Sequence, residues 1–578
     1  MKKVIVTICI LILNSCLSWG QYVLKNVEDV NWYSNIPQEE LFINQNATTL
    51  LAGEQLQFTT HCFNALTKIY SKNSKVAYVE LIGQDKIIFK QKIKLDNGIG
   101  QGDFFIPVDI TTGNYKLIGY TQWMKNGQAG HYFESDLLII NPYEPIEFNE
   151  DAALIQNDLS ETSSEWIALE MDSKEYGERS RVKLTIKSLK MSLAYGNFAL
   201  SVRKVDELSA YYKNDIYDLN KSKFSKTNAN RTKTVGETIF LPEFNGEMIT
   251  GTVLNKSTNS LVAGKKVVLS ILSKEAFQDV STTNEKGQFF FQIKDYFSNS
   301  NALFQVLGED RENYKIKLND HQSIEYAEFK FDDVNLNPKN ELNIIERSIQ
   351  NQIQMAYDFS ENHKRVQPDL PEAFFGNPKL NFKLDDYKRF PTVAQTLVEV
   401  VDQAWHERRA GKKRYIKVRE RLNSPYFGDN LLPLVVVDGA FIQDHEPILN
   451  YDAKLVEEID VYRDEYYYGK DVYQGIVSIK TKNADYYESM TGDYLEVKKL
   501  FRPNLKTQYY SPNHEAEAEA RIPDERFQLY WEPVLSLEQQ QKEIEFYSSD
   551  VKGIFEISLK GFTNSGQPIT ITKYFEVK

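Results

Sequence analysis

Between Leu41 and Pro142, short runs of alternating apolar and polar residues are broken by Gly and Asn at intervals of roughly ten residues, the spacing of strands in a two-layer β-sandwich. Val76 to Ile82 reads as one strand, and Ile87, Phe89, Ile93 and Leu95 share one face of the next. Asp96-Asn97-Gly98 ends that strand, Gly102 to Pro107 starts another, and Gly113-Asn114 separates it from Tyr115 to Thr121. A strand of this kind needs a second sheet over its apolar face, so the pattern dictates layers of sheet. It recurs in Arg181 to Ile186 and Asn197 to Arg203, which predict a second sandwich over 147–244. At 578 residues the chain exceeds what one core organises, and its 34 Tyr and 33 Phe suit half-buried strands.

The first twenty residues have the form of a signal peptide: Lys2 and Lys3, then an apolar run from Val4 to Leu13 that is too short to span a bilayer. Cleavage after Gly20 fits better than lipidation of Cys16, because Asn14 suits a lipobox poorly. The chain is therefore expected to be exported, to the periplasm, the outer membrane or the cell surface. Cleavage removes Cys9 and Cys16 and leaves Cys62 alone, so stability must come from core burial, with Cys62 as a small buried hydrophobe. Net charge is −13, or −15 without Lys2 and Lys3, which argues against nucleic acid as a partner and against electrostatic docking on an anionic membrane. No second apolar run is long enough to span a membrane, so no integral helical span is expected.

Three segments carry family resemblances. Gly53-Glu54, Gly102-Asp103-Phe104, Gly113 to Leu117, Tyr120 to Met124 and the closing Ile139 to Pro142 resemble a macroglobulin-type β-sandwich, in the version found in exported Bacteroidota proteins. No Cys-Gln thioester motif accompanies them. Ile249 to Val253, Val267 to Ser270 and Thr282 to Phe289 resemble the carboxypeptidase regulatory-like (transthyretin-like) β-sandwich, a generally non-catalytic module; the resemblance implies a turn at Gly287 and a core position for Phe289. Leu434 to Gly439, Ile459 to Val461, Tyr468-Gly469 and Gly475 to Thr481 resemble the plug domain of TonB-dependent outer-membrane receptors. Residues 488–578 are too few for the barrel that follows such a plug, so no TonB-dependent barrel is expected. Together these readings predict a mostly β chain of tandem Ig-like/macroglobulin-type β-sandwiches with one α/β plug-like domain.

The expected order is signal peptide 1–20, macroglobulin-type sandwich 21–143, second sandwich with a polar loop (Lys213 to Thr234) 147–244, carboxypeptidase regulatory-like sandwich 245–320, linker 321–378, plug-like domain 379–487 and C-terminal sandwich 495–578. The linker carries a helix over Glu341 to Met355, with Leu342, Ile345, Ile349 and Ile353 on about one face. In the plug-like domain, Thr392 to Arg409 reads as an amphipathic helix with Val393, Leu397, Val400 and Val401 inward. Leu455 to Asp460 has helical character, and Leu434 to Val437, with Val436 in its interior, is expected to be a central strand buried on both faces.

Chemistry is sparse. The seven His show no ligand-spaced pair, and His406-Glu407 lacks a second His. Asp333 to Asn337 begins like a calcium loop, but Pro338 and Ile344 occupy the positions of its Gly and bidentate Glu. Asp438-Gly439 reads as a tight turn, with Gly469 and Gly475 as further structural positions. No catalytic residue, cofactor or metal is expected. Tyr466-Tyr467-Tyr468, flanked by Asp464, Glu465, Lys470 and Asp471, suits either a core or an interface, and the flanking charges tip it toward exposure. The function that follows is a non-enzymatic envelope adaptor engaging an outer-membrane protein through its plug-like domain. Nutrient capture beside a transporter is the alternative, with a carboxylate hydrolase behind it.

Overall fold

A computed structural model describes residues 22–578, apart from 85, 128–131, 153–156, 211–232, 274, 320–323, 325, 327–328, 358–362, 377, 379, 410–412, 423, 427, 429, 469–470 and 516–521. The signal segment, most of the Lys213 to Thr234 loop and Gly469 therefore lie outside the described residues. The chain is mostly β and is built of tandem β-sandwiches. It forms two units, one of Gln21–Gly246, Ser323–Gln367 and Pro503–Lys578, the other of Glu247–Gln322 and Pro368–Arg502.

In the first unit, the strands predicted between Leu41 and Pro142 close a sandwich. Its smaller sheet is Glu39–Gln45, Gln55–Asn64 and Ile99–Phe105. The larger is ordered Thr49–Leu51, Phe133–Ile140, Gly113–Tyr120, Val76–Ile82 and Ile87–Lys94. Leu56, Phe58, Val79, Leu117 and Ile139 fill the core, and Cys62 sits among them with its thiol pushed up by burial. Val76–Ile82 is buried at every residue, although alternation leads one to expect a wet face. Later segments cover that face: Glu80 accepts the hydroxyls of Tyr120 (2.5 Å) and Tyr326, and Tyr78 donates to Glu243 at 3.1 Å.

The two further sandwiches predicted over 147–244 and 495–578 are one. Arg181–Ser188 lies between Ile167–Met171 and Gln541–Tyr547, and Gly196–Lys204 lies between Gln528–Leu537 and Gly553–Thr563. Leu184, Ile186, Phe198 and Leu200 share a core with Leu535, Phe546, Leu559 and Ile571. The reason is supply: the segment before residue 205 has too few strands to cover its own apolar faces, and the missing strands lie past residue 527. The remaining domains are inserted between the halves of this sandwich.

In the second unit, Gln288–Ile293, Glu247–Asn255 and Tyr314–Leu318 form one sheet of the next sandwich. Gln278–Thr282, Lys266–Ile271, Asn301–Val306 and Leu495–Lys499 form the other. Phe289 is fully buried behind Gly287, whose φ of 66° makes the turn. Leu495–Lys499, expected in a C-terminal sandwich, completes this one beside Asn301–Val306.

The α/β module has a sheet ordered Leu380–Lys383, Val456–Tyr462, Ile476–Thr481, Leu434–Val437 and Ala440–Phe441. Its middle strand is Ile476–Thr481; Leu434–Val437 lies beside it, parallel and interior. The helix starting at Thr392, whose hydroxyl caps the Gln395 N–H, ends at Glu399 and not at Arg409. Beyond it Gln403 takes a φ of 70°, and Ala404–Arg408, which includes His406, pairs as a strand with Arg414–Val418. Leu455 to Asp460 is likewise no helix: Val456, Ile459 and Val461 put β-branched side chains into a strand, where their stiff χ1 packs well. Val435 and Val437 face a core with Leu397 and Val461, while Leu434 and Val436 face another with Val268 and Phe441. Both faces are therefore dry. Val436→Ala removes two methyl groups there and is expected to lower stability by about 1–3 kcal/mol in thermal or urea melts.

Among the described residues, His61 of the first unit and His445 of the second are buried. His61, against the Tyr70 hydroxyl (3.0 Å), is pushed down to about 3 by burial, and His445, whose Nδ1 accepts the Ile416 N–H (3.1 Å), to about 4. The unfolded chain, with ordinary values near 6.5, binds these protons first. The stability they confer is complete above about pH 6.5 and is lost as pH falls toward 4, by up to about 1.4 kcal/mol per pH unit for each ring. Urea midpoints between pH 7 and 5 should fall accordingly, and His445→Gln should flatten the dependence of its unit.

Candidate functional site

Tyr466–Tyr468 forms a hairpin with Asp471–Tyr473, pairing Tyr466 with Tyr473 and Tyr467 with Val472. Alternation along the strand divides the cluster between two environments. Tyr466 packs half-buried against Phe374 (ring centroids 5.4 Å apart), in an aromatic layer with Phe375, Tyr462, Phe441 and Tyr473. Tyr467 points the other way and is 60% exposed, its ring edge-on to Tyr426 at 6.3 Å. The Tyr468 side chain and Gly469 lie outside the described residues.

The loop beside the hairpin brings in residues that the sequence reading did not single out. Arg421 pairs with Asp464 at 2.7 Å, and Arg463 donates to the carbonyls of Arg419 and Glu420 at 3.1 Å. These bonds hold the loop carrying Leu422 and Tyr426, and Leu422 is exposed almost completely. The available signal was a lone Leu in a polar run, Arg419-Glu420-Arg421-Leu422. Tyr467 and Leu422 are thus exposed, while Arg421 and Arg463 are held in place by these bonds.

The other singled-out positions build the frame. Asp438 (φ 49°) and Gly439 (φ 86°) make the two-residue turn between Leu434–Val437 and Ala440–Phe441. The Asp438 carboxylate, its pKa pushed up by burial, accepts the Thr481 N–H (2.7 Å), the Thr481 hydroxyl (2.6 Å) and the Tyr486 N–H (3.2 Å). The Gly439 carbonyl accepts from Gln278 of the neighbouring sandwich at 2.9 Å. Gly475, with a φ of 74°, lets Ile476–Thr481 begin against the Tyr462 carbonyl.

In the first unit a cleft of about 250 Å³ is lined by Glu54, Arg203, Arg347 and Phe527. Arg347 donates to Glu54 at 2.6 and 2.7 Å, and Arg203 donates to it at 3.2 Å, so this carboxylate is held as an ion-pair partner. In the calcium-like stretch, the Asn335 side chain accepts from Asn149, and the Asn337 side chain caps Lys339 and donates to the Ala152 carbonyl. Among the described residues no group of three or more His, Cys, Asp or Glu is placed to hold a metal, and no helix is long and apolar enough to cross a membrane.

No family model and no curated protein matches the chain. Among solved structures, a Salmonella alpha-2-macroglobulin reacted with methylamine is similar at 9% identity and a TM-score of 0.24, over 93% of this chain and 39% of that one. An Escherichia coli alpha-2-macroglobulin activated by porcine elastase gives 10% and 0.24, over 93% and 44%. The CARDB domain of a Pyrococcus furiosus protein gives 12% and 0.14, over 18% and 94%. The chain spans about two-fifths of the length of the macroglobulin structures. Similarity at this level bears on neither activity nor partners.

Proposed function

We propose that this is an exported, non-enzymatic envelope adaptor, periplasmic or outer-membrane associated, in which the sandwiches act as spacers and the α/β module is plug-like and engages an outer-membrane protein. The observation that carries the reading is the hairpin Tyr466–Tyr473: one Tyr anchors it in an aromatic layer while Tyr467 stands exposed with its ring against Tyr426. A large ring held this way loses little entropy on binding, which suits a contact made with a partner protein.

The test is recovery of a partner from solubilised outer membranes with tagged wild-type protein and with Tyr467→Ser. The variant is expected to melt within about 0.5 kcal/mol of wild type, as exposed substitutions do, and to recover much less partner. Recovery of the protein alone, or a Tyr467→Ser loss of stability matching that of Val436→Ala, would sink the proposal.

A further inference from the structure

Five large apolar side chains stand exposed on loops at one end of the first unit. Leu66 and Ile69 lie on the loop after Gln55–Asn64, and Leu189, Met191 and Leu193 on the loop between Arg181–Ser188 and Gly196–Lys204. Their exposures run from 52% to 79%, among the highest for large apolar residues in the chain. A third loop joins the two: the Asn564 N–H donates to the Tyr195 carbonyl at 2.8 Å, and Gly566 sits so close to the Lys68 carbonyl that a Cβ there would meet it at 2.0 Å. The five side chains are thus displayed from contiguous tips of two adjoining sandwiches.

The display is built in. Asn64 closes its loop by accepting from the Leu66 and Thr67 N–H groups (3.0 and 3.1 Å), and its own N–H donates to the Ile69 carbonyl at 2.9 Å. Met191 holds a φ of 51°, uncommon for a residue with a side chain, and the Ser188 hydroxyl pins its carbonyl at 2.6 Å. A backbone constrained in this way to present Leu, Met and Leu to the outside calls for something apolar to receive them.

We propose that this end of the unit is a lipid-contacting tip that sinks the five side chains into the interfacial region of a phospholipid bilayer. Two features favour lipid over a protein groove. The side chains stand on loops at strand ends and each is more than half exposed, so a soft surface can take them without a matching concavity. The charge on the tips is also mainly positive: Lys72 and Lys190 accompany the apolar residues, Lys68 is paired with Glu40 at 2.8 Å, and 64–72, 189–195 and 563–567 contain no Asp or Glu, in a chain of net charge −13. Lysines at that depth reach the phosphates while their stems stay in the apolar layer. Burial of apolar area supplies the attraction, so zwitterionic lipid suffices and anionic lipid adds modestly.

The test is flotation of the full chain, carrying Cys16→Ser so that no acyl anchor contributes, with phosphatidylcholine vesicles and with vesicles that also contain phosphatidylglycerol. Wild-type tip residues are expected to give co-flotation with both. Met191→Ser combined with Leu193→Ser should lower the partition coefficient roughly tenfold or more, and Leu66→Ser should lower it further. Melting should be unchanged, because these positions are exposed. Leu342→Ser, exposed elsewhere in the unit, is the control and should float like the parent. Failure of the parent to float, or equal flotation of parent and tip variants, overturns the proposal. Retention by a solubilised membrane-protein fraction in place of vesicles, lost in the tip variants, would make this end a protein-docking face and overturn it as well.

Discussion

Arg347→Ala is expected to destabilise the first unit by about 3–5 kcal/mol, the loss seen when one member of a buried ion network is removed. Arg347 lies in the helix Glu341–Ala356 with its guanidinium almost wholly buried. It donates to both oxygens of Glu54, to Asp206 at 3.1 Å and to the Thr49 carbonyl at 2.9 Å, and it lies over the Phe527 ring at 4.6 Å. Arg203 completes the set, pushed down to about 10 by burial and by the neighbouring Arg347 charge. The network ties the helix to both sandwiches, since Glu54 precedes Gln55–Asn64 and Arg203 lies in Gly196–Lys204. Truncation leaves Asp206 without this partner and Glu54 with Arg203 and the Leu51 N–H. Burial by itself would raise the Glu54 pKa, but the two guanidinium groups overcome it and hold the carboxyl below its ordinary value. The stability Glu54 confers is therefore present above its unfolded pKa, near 4.3, and is lost as the solution is acidified below that. Urea melts of Arg347→Ala, Glu54→Gln and the double variant should show strong coupling, with the double variant well short of the sum of the singles. Additive losses, or an Arg347→Ala loss below about 1 kcal/mol, would mean that the network contributes little.

Gly475→Ala is the second large effect, about 3 kcal/mol or more in the other unit. The φ of 74° already strains any residue with a Cβ, and this Cβ would fall 2.1 Å from the Tyr462 carbonyl oxygen and 3.1 Å from Val418. Relief requires Ile476–Thr481 to move, and that strand is paired on both sides, with Val456–Tyr462 and Leu434–Val437. A melt within about 0.5 kcal/mol of wild type would show that the strand accommodates the methyl group.

The frame of the Tyr hairpin was legible because it rests on local rules. Two positive φ values in succession ask for Asp-Gly at 438–439, and four apolar residues in a row at 434–437 ask for a strand dry on both faces. The division of Tyr466 from Tyr467 follows from the two-residue period of a strand, yet which face is covered depends on Phe374 and Phe441, distant in sequence. The helix at 341–356 shows the limit most clearly. Its apolar residues Leu342, Ile345, Ile349 and Ile353 share about one face, but Leu342 is 78% exposed, Ile345 and Ile349 are exposed too, and the buried side presents Ile344, Arg347 and Ser348. Periodicity weighs Arg as outward-facing; it cannot register that Glu54 and Asp206 wait inside to pair with it.

The sequence alone thus determined most strands of the first sandwich, their turns and the sandwich class, because alternation and turn chemistry act over a few residues, whereas Ala404–Arg408 and Val456–Tyr462 carried a helical pattern and became strands. Tertiary structure alone decided which strands share a sheet. Arg181–Ser188 and Gly196–Lys204 take their partners from beyond Gln528, and Leu495–Lys499 turns back to the sandwich that begins at Glu247. It also decided which faces are dry, as at Val76–Ile82 and the inverted helix. The physical reason is that a strand's pattern specifies that it must be covered and paired, while many segments of similar apolar character can do so. The choice among them is made by the summed packing and ion pairing of the whole chain, which no local window contains.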